Sequence, residues 1–213
     1  MNFNSVSRAQ FTLNSETVSQ YFGARLQDRP HPDTVAVAAI FGADDVLRYD
    51  QQSLADARAS VDAVVGLQTK AKQVAEVRDT SLFNGDTSVS VRVYHPCPGK
   101  TLPIIVYFHG GGWTIGDLDT HHPFCLHLAD QTQCTVMSVA YRLAPEHPFP
   151  TAHNDALAAS RWIIDNLNAL APNNGEVVIA GDSAGGNLTL ATAARLPDEP
   201  RLRGCLMMYP AIQ

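Results

Sequence analysis

Val177-Val178-Ile179-Ala180-Gly181-Asp182-Ser183-Ala184-Gly185-Gly186-Asn187-Leu188 decides how this chain is to be read. A short apolar run enters a G-x-S-x-G pattern, and an apolar segment, Asn187 to Leu196, leaves it. Strand, sharp turn and helix in that order are the context in which the pattern carries chemical meaning. Glycines two residues either side of Ser183 have no Cβ, so a strand and a helix can approach closely there. The turn pushes the hydroxyl outward, and the helix N-terminus favours negative charge beside it. A glycine-rich turn can also merely pack, or hold a phosphate, so the motif needs support from elsewhere in the chain. G-D-S-G-G also surrounds the nucleophile of chymotrypsin-like proteases, but here the run reads G-D-S-A-G-G and no disulfide pattern accompanies it.

That support lies about seventy residues upstream. Pro103-Ile104-Ile105-Val106-Tyr107-Phe108 is a continuous apolar run, and His109-Gly110-Gly111-Gly112-Trp113 follows it directly. Three successive glycines allow a backbone path that turns its amides inward with no side chain in the way. Acyl transfer needs such fixed N–H donors about 3 Å from the developing oxyanion. A triple-glycine loop of this type supplies those donors in lipases and esterases.

The rest of the chain fits one architecture. Runs at Thr135 to Val139 and Cys205 to Tyr209 resemble those at 103–108 and 177–180 and lack alternation, as strands buried on both faces do. Val89, Val91 and Val93 alternate with polar residues, and Asn84-Gly85-Asp86 precedes them, which predicts an antiparallel hairpin. Ala152, Ala156, Ala159, Ile163, Leu167 and Leu170 form one helical stripe. Leu54, Ala57, Val61 and Val64 form another, stopped at Gly66. Alternating strands and helices predict an α/β fold with a mostly parallel, doubly wound sheet. Residues 1–66 read as a helical N-terminal segment and 67–213 as the core.

Composition narrows the function classes. Of 213 residues, 45% are hydrophobic and 17% charged, as in a folded globular protein. The formal charge is −6, and no Lys/Arg cluster exceeds two residues, so nucleic acid is not an expected partner. The N-terminus lacks the apolar run of a signal peptide, and no stretch is long enough to span a membrane. Cys97, Cys125, Cys134 and Cys205 are scattered and read as buried free thiols, which points to the cytoplasm. His121, His122 and His127 lack the carboxylate or thiolate that would complete a zinc set, so no metal is expected.

Together with Tyr141-Arg142-Leu143-Ala144-Pro145-Glu146-His147-Pro148-Phe149-Pro150, these two motifs resemble the bacterial hormone-sensitive-lipase-like esterases of the α/β-hydrolase superfamily. The resemblance covers about residues 70–213, more loosely the helical N-terminus. It implies a carboxylic ester hydrolase with Ser183 as nucleophile and short to medium acyl esters as small-molecule substrates. Gly111, Gly112 and Ala184 would donate the oxyanion amides, supported by His109 and Gly110. Gly181, Asp182 and Gly185 would shape the elbow, and Trp113 would line the pocket. Residues 1–66 would form part of a cap. No cofactor is implied. Glu146 and His147 tempt assignment as acid and base, but they precede the nucleophile, the wrong order for this fold. In the family that segment is a structural turn.

In this fold the partners follow the nucleophile as Ser, Asp/Glu, His. Asp198 and Glu199 follow Ser183, but the last histidine is His153. The expectation is therefore an α/β-hydrolase core incomplete at its C-terminus, its triad acid and histidine absent, with little activity alone. A C-terminal fragment or second chain, a natural truncation, or a domain-swapped partner would each account for this, and a homodimer is one assembly open to the chain. The alternative from another class is a non-catalytic, receptor-like ligand-binding homologue, as in the plant gibberellin receptors. Amidase or lactonase chemistry would use the same site.

Overall fold

The structure, a computed structural model, describes residues 51–66, 68, 70–84, 87–167 and 173–212. Two compact units divide the chain, Met1–Gln52 and Ser53–Gln213, and every element named here belongs to the second.

Helix α1 (Leu54–Val65) begins where Ser53 Oγ accepts the Asp56 N–H at 3.1 Å, the bond by which serine caps a helix N-terminus. It ends one residue before Gly66, as the sequence predicts. Strands β1 (Glu76–Asn84) and β2 (Thr87–His95) pair antiparallel, with Thr80 opposite Val91 and Leu82 opposite Val89. The predicted turn residues Gly85 and Asp86, like Leu170 of the second helical stripe, lie outside the described residues.

The chain then alternates as β3 (Leu102–Phe108), α2 (His122–Thr132), β4 (Thr135–Ala140), α3 (Thr151–Asp165), β5 (Asn173–Asp182), α4 (Ala184–Ala193) and β6 (Leu202–Met208). The six strands lie in the order β1-β2-β4-β3-β5-β6, with β4, β3, β5 and β6 parallel. Period-two alternation sorts each central strand between two cores. Ile104, Val106 and Phe108 of β3 and Val177 and Ile179 of β5 face the α3 stripe of Ala152, Ala156, Ala159 and Ile163, together with Leu188 of α4. Ile105 and Tyr107, with Ala180, face α2 through Cys125, Leu126, Leu128 and Ala129. Helices cover both faces, which is why these strands are apolar throughout.

The apolar run of β6 pairs with β5 and, among the described residues, borders the sheet, as the sequence leads one to expect of the last strand; Leu206 and Met207 are 43% and 39% exposed. One expectation is corrected. The cysteines are free, but only Cys125 is buried; Cys205 is exposed and Cys97 and Cys134 half-buried.

Topology places the site. From β3 the chain moves to β4 on one side, and from β5 to β6 on the other. Connections that diverge at the carboxyl ends of two adjacent parallel strands open a crevice between them, where ligands bind in open α/β sheets. The two strands are those that end in His109-Gly110-Gly111-Gly112 and in Asp182-Ser183.

Candidate active site

β3 and β5 are in register, with Phe108 opposite Gly181, so both glycine motifs leave the sheet at the same end and level. Ser183 is the N-cap of α4, with φ 49° and ψ −116°, a left-handed conformation that a residue with a Cβ adopts only under strain. Such a residue costs roughly 1–3 kcal/mol and persists because its surroundings over-determine it. Here the Ser183 N–H donates to Met208 O at 2.9 Å, and the Ser183 carbonyl accepts from Asn187 N at 3.1 Å and Ala211 N at 2.9 Å. Gly185 packs so tightly on β3 that a Cβ there would collide with the Phe108 carbonyl. This is the close strand–helix approach that the spacing of the motif predicts.

The triple-glycine loop is also left-handed over three successive residues: Gly111 at φ 121°, Gly112 at 59° and Trp113 at 60°. Thr114 N and Ile115 N both donate to Gly111 O, at 3.0 and 2.9 Å, which closes the loop on itself. Asp182, beside the serine, ties loop to elbow. Its Oδ1 accepts the Gly110 N–H at 2.8 Å and the Tyr107 hydroxyl at 2.5 Å, and His121 Nε2 lies 3.7 Å away. Burial alone would raise the pKa of Asp182, but the nearby His121 and the hydrogen bonds from Tyr107 and Gly110 outweigh it, and the carboxyl lies below its usual range.

His109 lies beneath the loop, fully buried and stacked on Tyr141 with ring centroids 4.4 Å apart. Burial drops its pKa to about 4, so the ring is neutral at pH 7. Its Nδ1 lies 2.7 Å from Gly110 O, and a carbonyl only accepts, so Nδ1 carries the proton. The Tyr141 hydroxyl donates to His109 O at 2.7 Å. Arg142, the next residue, forms a forked pair with buried Asp155 of α3, with bonds of 2.8 and 2.6 Å, while the Arg142 N–H also donates to Asp155. Glu146 pairs with Arg58 of α1 through two bonds of 2.8 Å. The Tyr141–Pro150 segment is thereby a brace, in keeping with its reading as a structural turn.

The remaining predicted positions sort themselves by contact. Trp113 stacks on His153, with centroids 6.2 Å apart. Asn187 Nδ2 donates to Ala211 O, which turns Oδ1 toward His153 Nε2 at 3.0 Å and makes that nitrogen the donor. His122 meets the Tyr94 hydroxyl at 3.1 Å, and His121 packs against His109 and Tyr107. Nothing in the sequence links His121 to the elbow. Only the sheet and α2 bring it to Asp182. Tyr107 and Arg58 are equally silent in the sequence, because a tyrosine within an apolar run or an arginine on a helix has no local signature.

The comparisons with known proteins agree with this geometry. A family model described as alpha/beta hydrolase fold matches residues 105–213. Carboxylesterase NlhH of Mycobacterium tuberculosis is 45% identical over 131 residues, covering 60% of this chain and 41% of that protein. Carboxylic ester hydrolase LipN of the same species is 38% identical over 176 residues, covering 80% and 45%. Among solved structures, an esterase from Pyrobaculum calidifontis superposes with a TM-score of 0.76 at 34% identity, over 86% of this chain and 59% of that one. The chain therefore belongs to the α/β-hydrolase family, in its hormone-sensitive-lipase-like esterase branch. It spans less than half the length of the curated relatives it matches.

Proposed function

We propose that this protein is a serine carboxylic ester hydrolase with Ser183 as nucleophile. One observation carries the reading: a strained serine at a helix N-cap lies across a β3–β5 crevice from a loop of left-handed glycines. Ser183 Oγ attacks the ester carbonyl carbon as a base takes the hydroxyl proton. The carbonyl oxygen becomes an oxyanion held by the amides of Gly111, Gly112 and Ala184, each donor lowering the barrier by about 3–4 kcal/mol. The intermediate collapses and the alcohol leaves with that proton. Water then attacks the acyl-enzyme by the same route and releases the acid.

Five of the histidines have other partners: His95 with Cys97, His109 with Gly110, His121 with Asp182, His122 with Tyr94 and His153 with Asn187. The general base that takes the Ser183 proton is proposed to be a histidine outside these five, oriented by an acid, in the order Ser, Asp/Glu, His of this fold. The substrates proposed are small esters with short to medium acyl groups, as in the esterases it resembles. Trp113 lines the pocket, the reaction uses no cofactor, and the protein works in the cytoplasm.

A fluorophosphonate labels only an activated serine. In the full-length protein it should modify Ser183, and Ser183→Ala should abolish both labelling and hydrolysis of an activated short-chain ester. A full-length protein that binds such esters but neither labels nor turns over would instead suit the receptor-like alternative.

A further inference from the structure

Helix α1 reaches the glycine loop through the side chain of Arg58. Its guanidinium donates from Nε to Thr114 O at 3.1 Å, from one terminal nitrogen to Ala144 O at 3.3 Å, and from both to the Glu146 carboxylate at 2.8 Å. Thr114 directly follows the left-handed run at 111–113. Ala144 in turn donates its N–H to Trp113 O at 2.8 Å. The loop thus has two anchored limbs. Asp182 holds the inner limb at Gly110, and Ala144 with Arg58 holds the outer limb at Trp113 and Thr114.

We propose that Arg58 is a positioning residue for the glycine loop, fixing its outer limb so that the amides of residues 111 and 112 keep their aim. The proposal rests on the ester-hydrolase reading and names a residue that tunes that site. Three consecutive left-handed residues, the last of them a tryptophan, hold their shape only where neighbours enforce it. The planar fork of arginine can serve two carbonyls and a carboxylate at once, whereas the ammonium of lysine is a point charge on a flexible stem. The Arg58 and Glu146 side chains are 36% and 50% exposed, so their pairing contributes little to global stability. What it does is local. Arg58 holds the Glu146 carboxyl down to about pKa 2, so the clamp stays closed across the whole neutral range.

The test compares Arg58→Ala, Arg58→Lys and Glu146→Gln in the full-length protein, with Asp62→Asn, exposed one turn along α1, as control. Both Arg58 variants should lose about 10- to 100-fold in kcat with KM changed less than about threefold, the signature of misplaced catalytic groups. Glu146→Gln should fall between them and the wild type, and Asp62→Asn should match the wild type. Hydrogen exchange of a peptide covering residues 109–118 should quicken in the Arg58 variants while the melting temperature barely moves. Unchanged kcat in Arg58→Lys, or unchanged loop exchange, would overturn the proposal. If Arg58→Ala does not fold, the lysine and Glu146→Gln variants decide. If the wild type hydrolyses no ester, the functional reading fails, and loop exchange still judges the clamp.

Discussion

Asp182 is the residue on which the site's geometry turns, and its burial makes it costly to disturb. One oxygen accepts both the Gly110 amide and the Tyr107 hydroxyl. Asp182→Ala strands two donors inside the protein, and each unsatisfied buried group costs about 1–3 kcal/mol. Asp182→Asn keeps an oxygen in place and loses only the charge. Denaturant unfolding should therefore show a large loss for alanine and a smaller one for asparagine. Ester turnover should fall in the same order, because the loop end at Gly110 is released only in alanine. Equal losses in the two variants would mean that the charge near His121, rather than the hydrogen bonds, does the holding. The sequence shows Asp182 as the variable letter of its motif, with nothing to indicate its partners.

At the scale of elements, α3 and α4 press one face of the sheet and α2 the other, and the helical stripes in the sequence already mark the α3 contact. Ala152, Ala156, Ala159 and Ile163 all end up buried, as their spacing requires. Ile163 is fully buried in the cluster under β3 and β5, on the helix that follows the Tyr141–Pro150 brace. Ile163→Ala should cost about 2–5 kcal/mol, read by urea denaturation, with the KM of the folded fraction unchanged. Comparable loss from Leu157→Ala, half-buried on the same helix, would argue that burial under β3 and β5 does not set the cost, since alanine favours the helix at both positions. For the helix after Ser183 the sequence predicts Asn187–Leu196, whereas it occupies Ala184–Ala193. Glycine propensity argues against helix at Gly185 and Gly186, but close packing on β3 and on Pro210 outweighs it there.

Across the whole molecule, stability should follow pH through groups whose pKa the fold displaces. Burial lowers His109 from an ordinary 6.5 to about 4. A depressed histidine means that the unfolded chain binds the proton more readily. The stabilisation is complete above pH 6.5 and is lost as pH falls toward 4, by on the order of 3 kcal/mol at most. Asp182 adds to this at lower pH. Its carboxyl is also depressed, so its contribution holds above the ordinary carboxylate pKa and disappears as pH falls further. Melting temperatures measured between pH 7.5 and 4 should decline, and His109→Asn, whose amide can still donate toward Gly110 O, should flatten the upper part of that decline. A wild-type curve flat to pH 4 would show that His109 is not desolvated as described.

Local patterns are enough to read the order of strands and helices, both glycine motifs and the serine between them. Periodicity and turn chemistry act over a few residues, and the chain displays them directly. Which strands lie side by side is not legible, since β3 next to β5 depends on how crossovers pack over a sheet. From that adjacency come the crevice, the meeting of Gly110 with Asp182, the approach of His121, and Arg58 on Thr114. These contacts join residues far apart in the chain, and no local propensity encodes them.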